Sequence, residues 1–198
     1  MKFKKGEILL ALFNLIYILA FIFYYISVKN YEFLLYIGVI VFFFILIATT
    51  LRKTEFDYFI LIGLSIWGLL HMAGGGIRIG DHVLYGQILI PIINSGDILI
   101  FKFDQFVHMF GFGLTSIIGF HLLKPYLNKK INYGVIYFLI VLIGMGFGSL
   151  NELVEFFAVV AFPETGVGGY YNTSLDMVFN TIGALIAICV IHFRRKFE

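Results

Sequence analysis

Six apolar stretches separated by short polar breaks leave this chain few ways to fold. They run from Ile8 to Val28, Phe33 to Leu51, Tyr58 to Met72, Lys102 to Leu123, Tyr133 to Phe162 and Ser174 to Phe193. A helix rises about 1.5 Å per residue, so about 20 apolar residues cross a hydrocarbon layer about 30 Å thick. Of the 198 residues, 61% are hydrophobic and only 13% charged, whereas a soluble domain is nearer half apolar and a quarter charged. Too little polar surface remains to cover a water-soluble globule. The expected fold is all-α, a polytopic bundle of six transmembrane helices. Residues 1–198 are expected to form one membrane domain, with two N-terminal helices in 1–56 and a four-helix part in 57–198.

The segment Met1-Lys2-Phe3-Lys4-Lys5 has the basic character of the start of a signal peptide. The apolar run behind it is not closed by a small-x-small cleavage pattern, so it reads as an uncleaved first helix. With the N-terminus inside, the cytoplasmic segments hold Lys2, Lys4, Lys5, Arg52, Lys53, Lys124, Lys129, Lys130, Arg194, Arg195 and Lys196, and the outer ones only Lys29, Arg78 and Lys102. Eleven basic residues against three follow the positive-inside rule, and six spans return the C-terminus to the cytoplasm. The chain is expected in the cell membrane, plasma or inner, with the lipid bilayer as its partner. Nothing in it points to nucleic acid. The single cysteine, Cys189, sits in an apolar run and excludes an internal disulfide or a thiolate metal site.

Between the third and fourth spans, isoleucine-rich runs flank Asn94-Ser95-Gly96. Such a pattern predicts an extended hairpin over Gln87 to Phe101, placed at the outer surface, since a seventh span would invert the charge bias downstream. The fifth span has the opposite difficulty. Thirty residues make about 45 Å of helix, so it must tilt, protrude or break, and Gly144-Met145-Gly146-Phe147-Gly148 is its weak point. Gly144 and Gly148 also form a small-xxx-small pair suited to close helix packing. Gly-x-Gly-x-Gly is not a nucleotide loop here, because it lacks a preceding strand.

Ionisable residues within membrane helices are costly to bury and mark functional sites. Asp104 and His108 are four apart and share a helix face. Glu152 and Glu155, three apart, share another and are followed by an apolar run, so they are embedded. Asp176 and Asn180 are again four apart, and His71 closes the third span. Under the topology above, four helices deliver these residues to one outer level, while the opposite side has only His121 and His192 near helix ends. Plainer roles exist for some of them. Asp104 is placed to cap the fourth helix, and Asp176, three residues after Thr173, fits a capping box. His108 and His71 suit polar helix–helix or interfacial contacts. The glutamate pair is the hardest to account for structurally. Two desolvated acids one turn apart repel unless one is protonated or a cation lies between them.

His71-Met72-Ala73-Gly74-Gly75, Phe103-Asp104-x-x-x-His108, Asn151-Glu152-x-x-Glu155 and Asp176-x-x-x-Asn180-x-x-Gly183, as an ordered set, resemble the uncharacterised bacterial and archaeal membrane family typified by the inner-membrane protein YjdF. More distantly, the order Asp-x-x-x-His, Glu, Asp-x-x-x-Asn-x-x-Gly is similar to VanZ-like proteins, small membrane proteins of which one is associated with glycopeptide resistance. The resemblance spans roughly residues 67 to 190. VanZ-like proteins commonly carry lysine directly after the first acid and glutamine a turn after the glutamate, where this chain has Gln105 and Glu155. The resemblance implies a membrane bundle with a polar site and brings no established activity.

Three functions fit these residues. In the first, Asp104, His108, Glu152, Glu155 and Asp176 are catalytic and hold a divalent metal, zinc, manganese or iron, as mixed oxygen and nitrogen ligands do, with His71 and Asn180 in support. Such a site would activate water against an ester or phosphate of an envelope lipid. Ser149 and Ser174 offer no matching triad, since their spacing pairs neither with His108. In the second, the same cluster binds or transports an ion, a proton or a lipid without chemistry. Against transport stand the absence of an internal repeat and of polar residues in the inner half. In the third, the cluster is interhelical glue.

Overall fold

The computed structural model describes residues 3–91, 94–95, 98–99, 101–128, 130–162, 165 and 167–196. Six helices are formed: α1 (Lys5–Ser27), α2 (Tyr31–Thr54), α3 (Tyr58–Gly76), α4 (Phe103–Leu123), α5 (Tyr133–Ala161) and α6 (Tyr170–Lys196). Each is long and apolar enough to cross a membrane, and a helix satisfies its backbone polar groups internally, as hydrocarbon requires. Between α3 and α4 lie the short strands β1 (Arg78–Ile79), β2 (His82–Val83), β3 (Asn94–Ser95) and β4 (Ile98–Leu99). Contacts divide the chain into two compact units, Met1–Gln87 with Ala158–Gly166, and Ile88–Phe157 with Val167–Glu198.

In the first unit α1, α2 and α3 pack on one another. Asn30 Oδ1 accepts from Phe33 N at 3.0 Å to start α2, and Asp57 Oδ1 accepts from Ile60 N at 2.9 Å to start α3, both side-chain N-caps. α2 stops where Glu55 turns left-handed at φ 51°. The apolar pattern places the end of α3 at Met72, but the helix continues through Gly74, Gly75 and Gly76. Aromatic rings occupy the space that side chains there would need: a Cβ on Gly76 would lie 2.8 Å from the Phe21 ring, and those on Gly74 and Gly75 would meet the rings of Tyr85 and Phe33. Polar ties cross the unit. Asn14 Nδ2 donates to Ser65 Oγ at 2.7 Å, and its Oδ1 accepts from Tyr17 OH at 2.8 Å. Tyr25 OH donates to Met72 O at 2.5 Å.

The hairpin expected over 87–101 is present as paired strands. Asn94 pairs with Leu99 and Ser95 with Ile98, antiparallel. Further out Ile88 bridges Lys102, and Leu89 N donates to Phe101 O at 3.0 Å. Asn94 and Ser95 are strand residues, so they are not the turn that their composition suggests. Ile92, Ile93, Gly96, Asp97 and Ile100 lie outside the described residues, as do Lys2, Lys129, Pro163, Glu164 and Gly166.

In the second unit α4 and α6 cross at glycines. A Cβ on Gly113 would lie 2.8 Å from Gly183 O, and one on Gly183 would collide with Met109 O, so the two backbones touch, as small residues permit in membrane helices. α5 is one unbroken helix of 29 residues, which excludes the break at Gly144–Gly148. Its inward face repeats every fourth residue through the buried Ile136 and Ile140 to Gly144 and Gly148. A Cβ on Gly144 would be 2.9 Å from Ala184 Cβ, and one on Gly148 would be 2.8 Å from Asn180 Cγ. The next step on that face is Glu152, so the helix period carries the glycine contacts into the polar cluster.

Candidate functional site

Both capping roles expected from sequence are overturned. Asp104 is the second residue of α4, and it is Gln105 Oε1 that accepts from Lys102 N at 3.0 Å and closes the first turn. α6 begins at Tyr170, not Ser174, with Asn172 N donating to Gly169 O at 2.9 Å. Thr173 and Asp176 therefore both lie inside the helix, and Asp176 is fully buried. Asp104 is not the cap but still sits in the first turn of α4, where the helix dipole favours an acid; Asp176 is not explained by a helix end.

The structure brings Asp104, His108, Glu152, Glu155 and Asp176 together around the imidazole of His108, which is 6% exposed. On the Nε2 side Asp104 Oδ1 stands 3.8 Å away and Glu155 Oε1 3.9 Å. On the Nδ1 side Glu152 Oε1 stands at 3.6 Å and Asn180 Oδ1 at 3.1 Å. Nδ1 is within hydrogen-bond distance of the Asn180 carbonyl oxygen, and the Nε2 edge faces Asp104 and Glu155. Two sets of three residues bring one ligand atom each to within 4.8 Å of one another: Asp104, His108 and Asp176, and His108, Glu152 and Glu155. His108 is common to both.

The two sets differ in how their oxygens are satisfied. Asp176 Oδ1 accepts from Gln105 Nε2 at 2.8 Å and its Oδ2 from Asn172 Nδ2 at 2.7 Å. Asn172 Nδ2 also reaches Asp104 Oδ2 at 3.0 Å, while its Oδ1 accepts from Lys102 Nζ at 2.5 Å. The aspartates are thus held by amide donors tied to one lysine. On the other side Glu155 Oε1 accepts from Asn151 Nδ2 at 2.8 Å, but neither oxygen of Glu152 has a hydrogen bond among the described residues, although its side chain is only 9% exposed. Buried carboxylates are ordinarily paired or hydrogen-bonded, so Glu152 is the exception in the cluster, and it points at His108.

Gln105, Asn172, Asn151 and Lys102 complete the site and were not singled out from sequence as part of it. A signal existed for three of them: Asn172 precedes Asp176 by four residues, Asn151 precedes Glu155 by four and Gln105 precedes His108 by three, spacings that share a helix face. His71 belongs to the first unit. Its ring stacks on Trp67 at 5.4 Å between centroids, and Nδ1 bonds Tyr85 OH at 2.5 Å. Asn180, by contrast, is the direct partner of His108.

The fold and site define a multi-pass helical membrane protein with a buried Asp/His/Glu cluster. Its family follows from residues 9–197, which match the model of a family described as "Predicted membrane protein (DUF2238)"; the chain belongs to that family. No curated protein and no solved structure matches it.

Proposed function

We propose that His108 with Glu152 and Glu155 holds a divalent transition-metal ion, and that the centre hydrolyses an ester or phosphate of an envelope lipid. The observation that carries this is Glu152, a buried carboxylate beside a histidine with no hydrogen bond among the described residues. Donor chemistry fits: one imidazole and carboxylates without thiolate suit zinc, manganese or iron. Two donors about 2.0–2.2 Å from a tetrahedral zinc are about 3.3–3.6 Å apart; the ligand atoms of this set lie within 4.8 Å of one another, so they need to draw in by about 1 Å. An Nδ1–H bond to Asn180 would be the outer contact that fixes the tautomer of a ligating histidine.

A bound ion would supply a Lewis acid and lower the pKa of a coordinated water. A glutamate oxygen left free takes the proton from the attacking water. As the new C–O or P–O bond forms, the ester or phosphate bond to the leaving group breaks, and the leaving oxygen receives that proton. Asp104 lies at the edge of this centre, and Asp176 serves by fixing Gln105 and Asn172, because both its oxygens are already engaged.

Elemental analysis of protein purified without chelator tests this beside His108→Ala and Glu152→Gln. About one equivalent of zinc, manganese or iron is expected in the native protein, lost in both variants, together with release of phosphate or fatty acid from envelope lipids. Folded native protein that neither carries nor takes up these ions would overturn the metal centre. Bound metal without hydrolysis would turn the reading towards ion binding or transport.

A further inference from the structure

A second feature lies wholly within the first unit. A cavity of about 440 Å³ opens between α1, α2 and α3, within the range of about 300–1,000 Å³ typical of small-molecule sites. Its walls are apolar, among them Ile18, Ile40, Phe44 and Trp67. Its polar lining is already satisfied: Asn14, Tyr17 and Ser65 hydrogen-bond to one another, and Glu7 pairs with Arg52. An occupant therefore meets hydrocarbon without stranding a polar group.

The opening is lateral. Ile8, Leu12, Leu15 and Phe43 line the cavity yet are 48%, 50%, 48% and 42% exposed. On helices that cross a bilayer such a flank faces lipid. From Glu7 to Ile18 the lining of α1 rises about 16 Å, about half of a 30 Å hydrocarbon layer, which is the depth of one leaflet. One end is basic. Lys4 follows the lining residue Phe3, and Lys53 lies two residues beyond the lining residue Leu51. Glu7 pairs with Arg52, so exposed Lys4, Lys5 and Lys53 stand against Glu55 and Asp57, an excess of one positive charge.

We propose that this groove seats one acyl chain of an anionic glycerophospholipid, with its phosphate at Lys4, Lys5 and Lys53. Apolar walls take the chain, and the lysines at the membrane boundary attract the anionic headgroup. The site is independent of the His108 cluster.

Trp67, the single tryptophan, lines the cavity and gives a direct readout. Full-length protein in vesicles is titrated with brominated-chain phosphatidylglycerol or with phosphatidylcholine of the same chain. Half-maximal quenching of Trp67 is expected at a mole fraction at least threefold lower for phosphatidylglycerol. Lys4→Gln/Lys5→Gln/Lys53→Gln should remove that preference while keeping quenching, and Ala11→Phe/Ala48→Phe, which fills the cavity, should weaken quenching by both lipids. Equal quenching by the two lipids in the native protein, or a preference unchanged by the lysine substitutions, would overturn the proposal. So would unchanged quenching in a folded cavity-filled variant; if that variant does not fold, the lysine variant decides alone.

Discussion

Glu152 Oε1 lies 3.6 Å from His108 Nδ1, nearer to the ring than Asp104 at 3.8 Å or Glu155 at 3.9 Å, yet among the described residues it has no hydrogen bond on either oxygen. A buried acid left in that state destabilises the protein by itself, and an ion beside it removes the penalty.

Glu152→Gln should therefore stabilise the metal-free protein. Relief of about 1–2 kcal/mol corresponds to a rise in Tm of roughly 2–8 °C for a chain of this size. Thermal unfolding in detergent with a chelator present checks it. Without chelator the order should reverse, because the native protein alone would gain from binding metal.

Asp176→Asn should move stability the other way. Both oxygens of Asp176 accept from amide groups, those of Gln105 and Asn172, so an amide there sets one donor against another. A loss of about 1–3 kcal/mol is expected, and adding chelator should not change it. The opposite signs at Glu152 and Asp176, measured on the same instrument, separate an acid awaiting a cation from one already held.

Gly183→Ala should break the crossing of α4 and α6. Its new methyl group would meet the Met109 carbonyl, backbone that cannot rotate away, and overpacking of this kind costs about 1–3 kcal/mol or more. Gly146→Ala is the control. It has no neighbour within 4 Å and should match or slightly exceed the native protein, since alanine favours helix over glycine by about 1 kcal/mol. Unfolding midpoints of the two variants compare them directly.

Thr165→Cys in a Cys189→Ala background should react with a membrane-impermeant thiol reagent in intact cells. The count of eleven basic residues against three predicts residue 165 outside and both termini in the cytoplasm. Labelling only after lysis would reverse that orientation.

The apolar runs made the six helices legible because hydrocarbon leaves a lone spanning segment no other way to satisfy its backbone. Helix limits were less legible where local chemistry misleads. Three glycines hide the last turn of α3, which neighbouring rings fill, and the polar residues Tyr170 to Thr173 hide the first turn of α6. Spacing placed Asp104 with His108, and Glu152 with Glu155, on shared faces, because the helix period alone determines that. Which faces meet is a different matter. Contact at Gly113 and Gly183, with Gly144 and Gly148 against Ala184 and Asn180, turns α4, α5 and α6 so that four acids surround His108. That contact also brings in Gln105, Asn172 and Lys102, whose hydrogen bonds join different helices. Sequence by itself determined the membrane class, the helix count and the residues on each polar face. Spacing on α6 allows Asn172 to reach Asp176. Tertiary packing decided that Gln105 also reaches Asp176, that Asn172 reaches Asp104 and that Glu152 meets no donor among the described residues, because a hydrogen bond between helices depends on where a neighbouring helix places its donor.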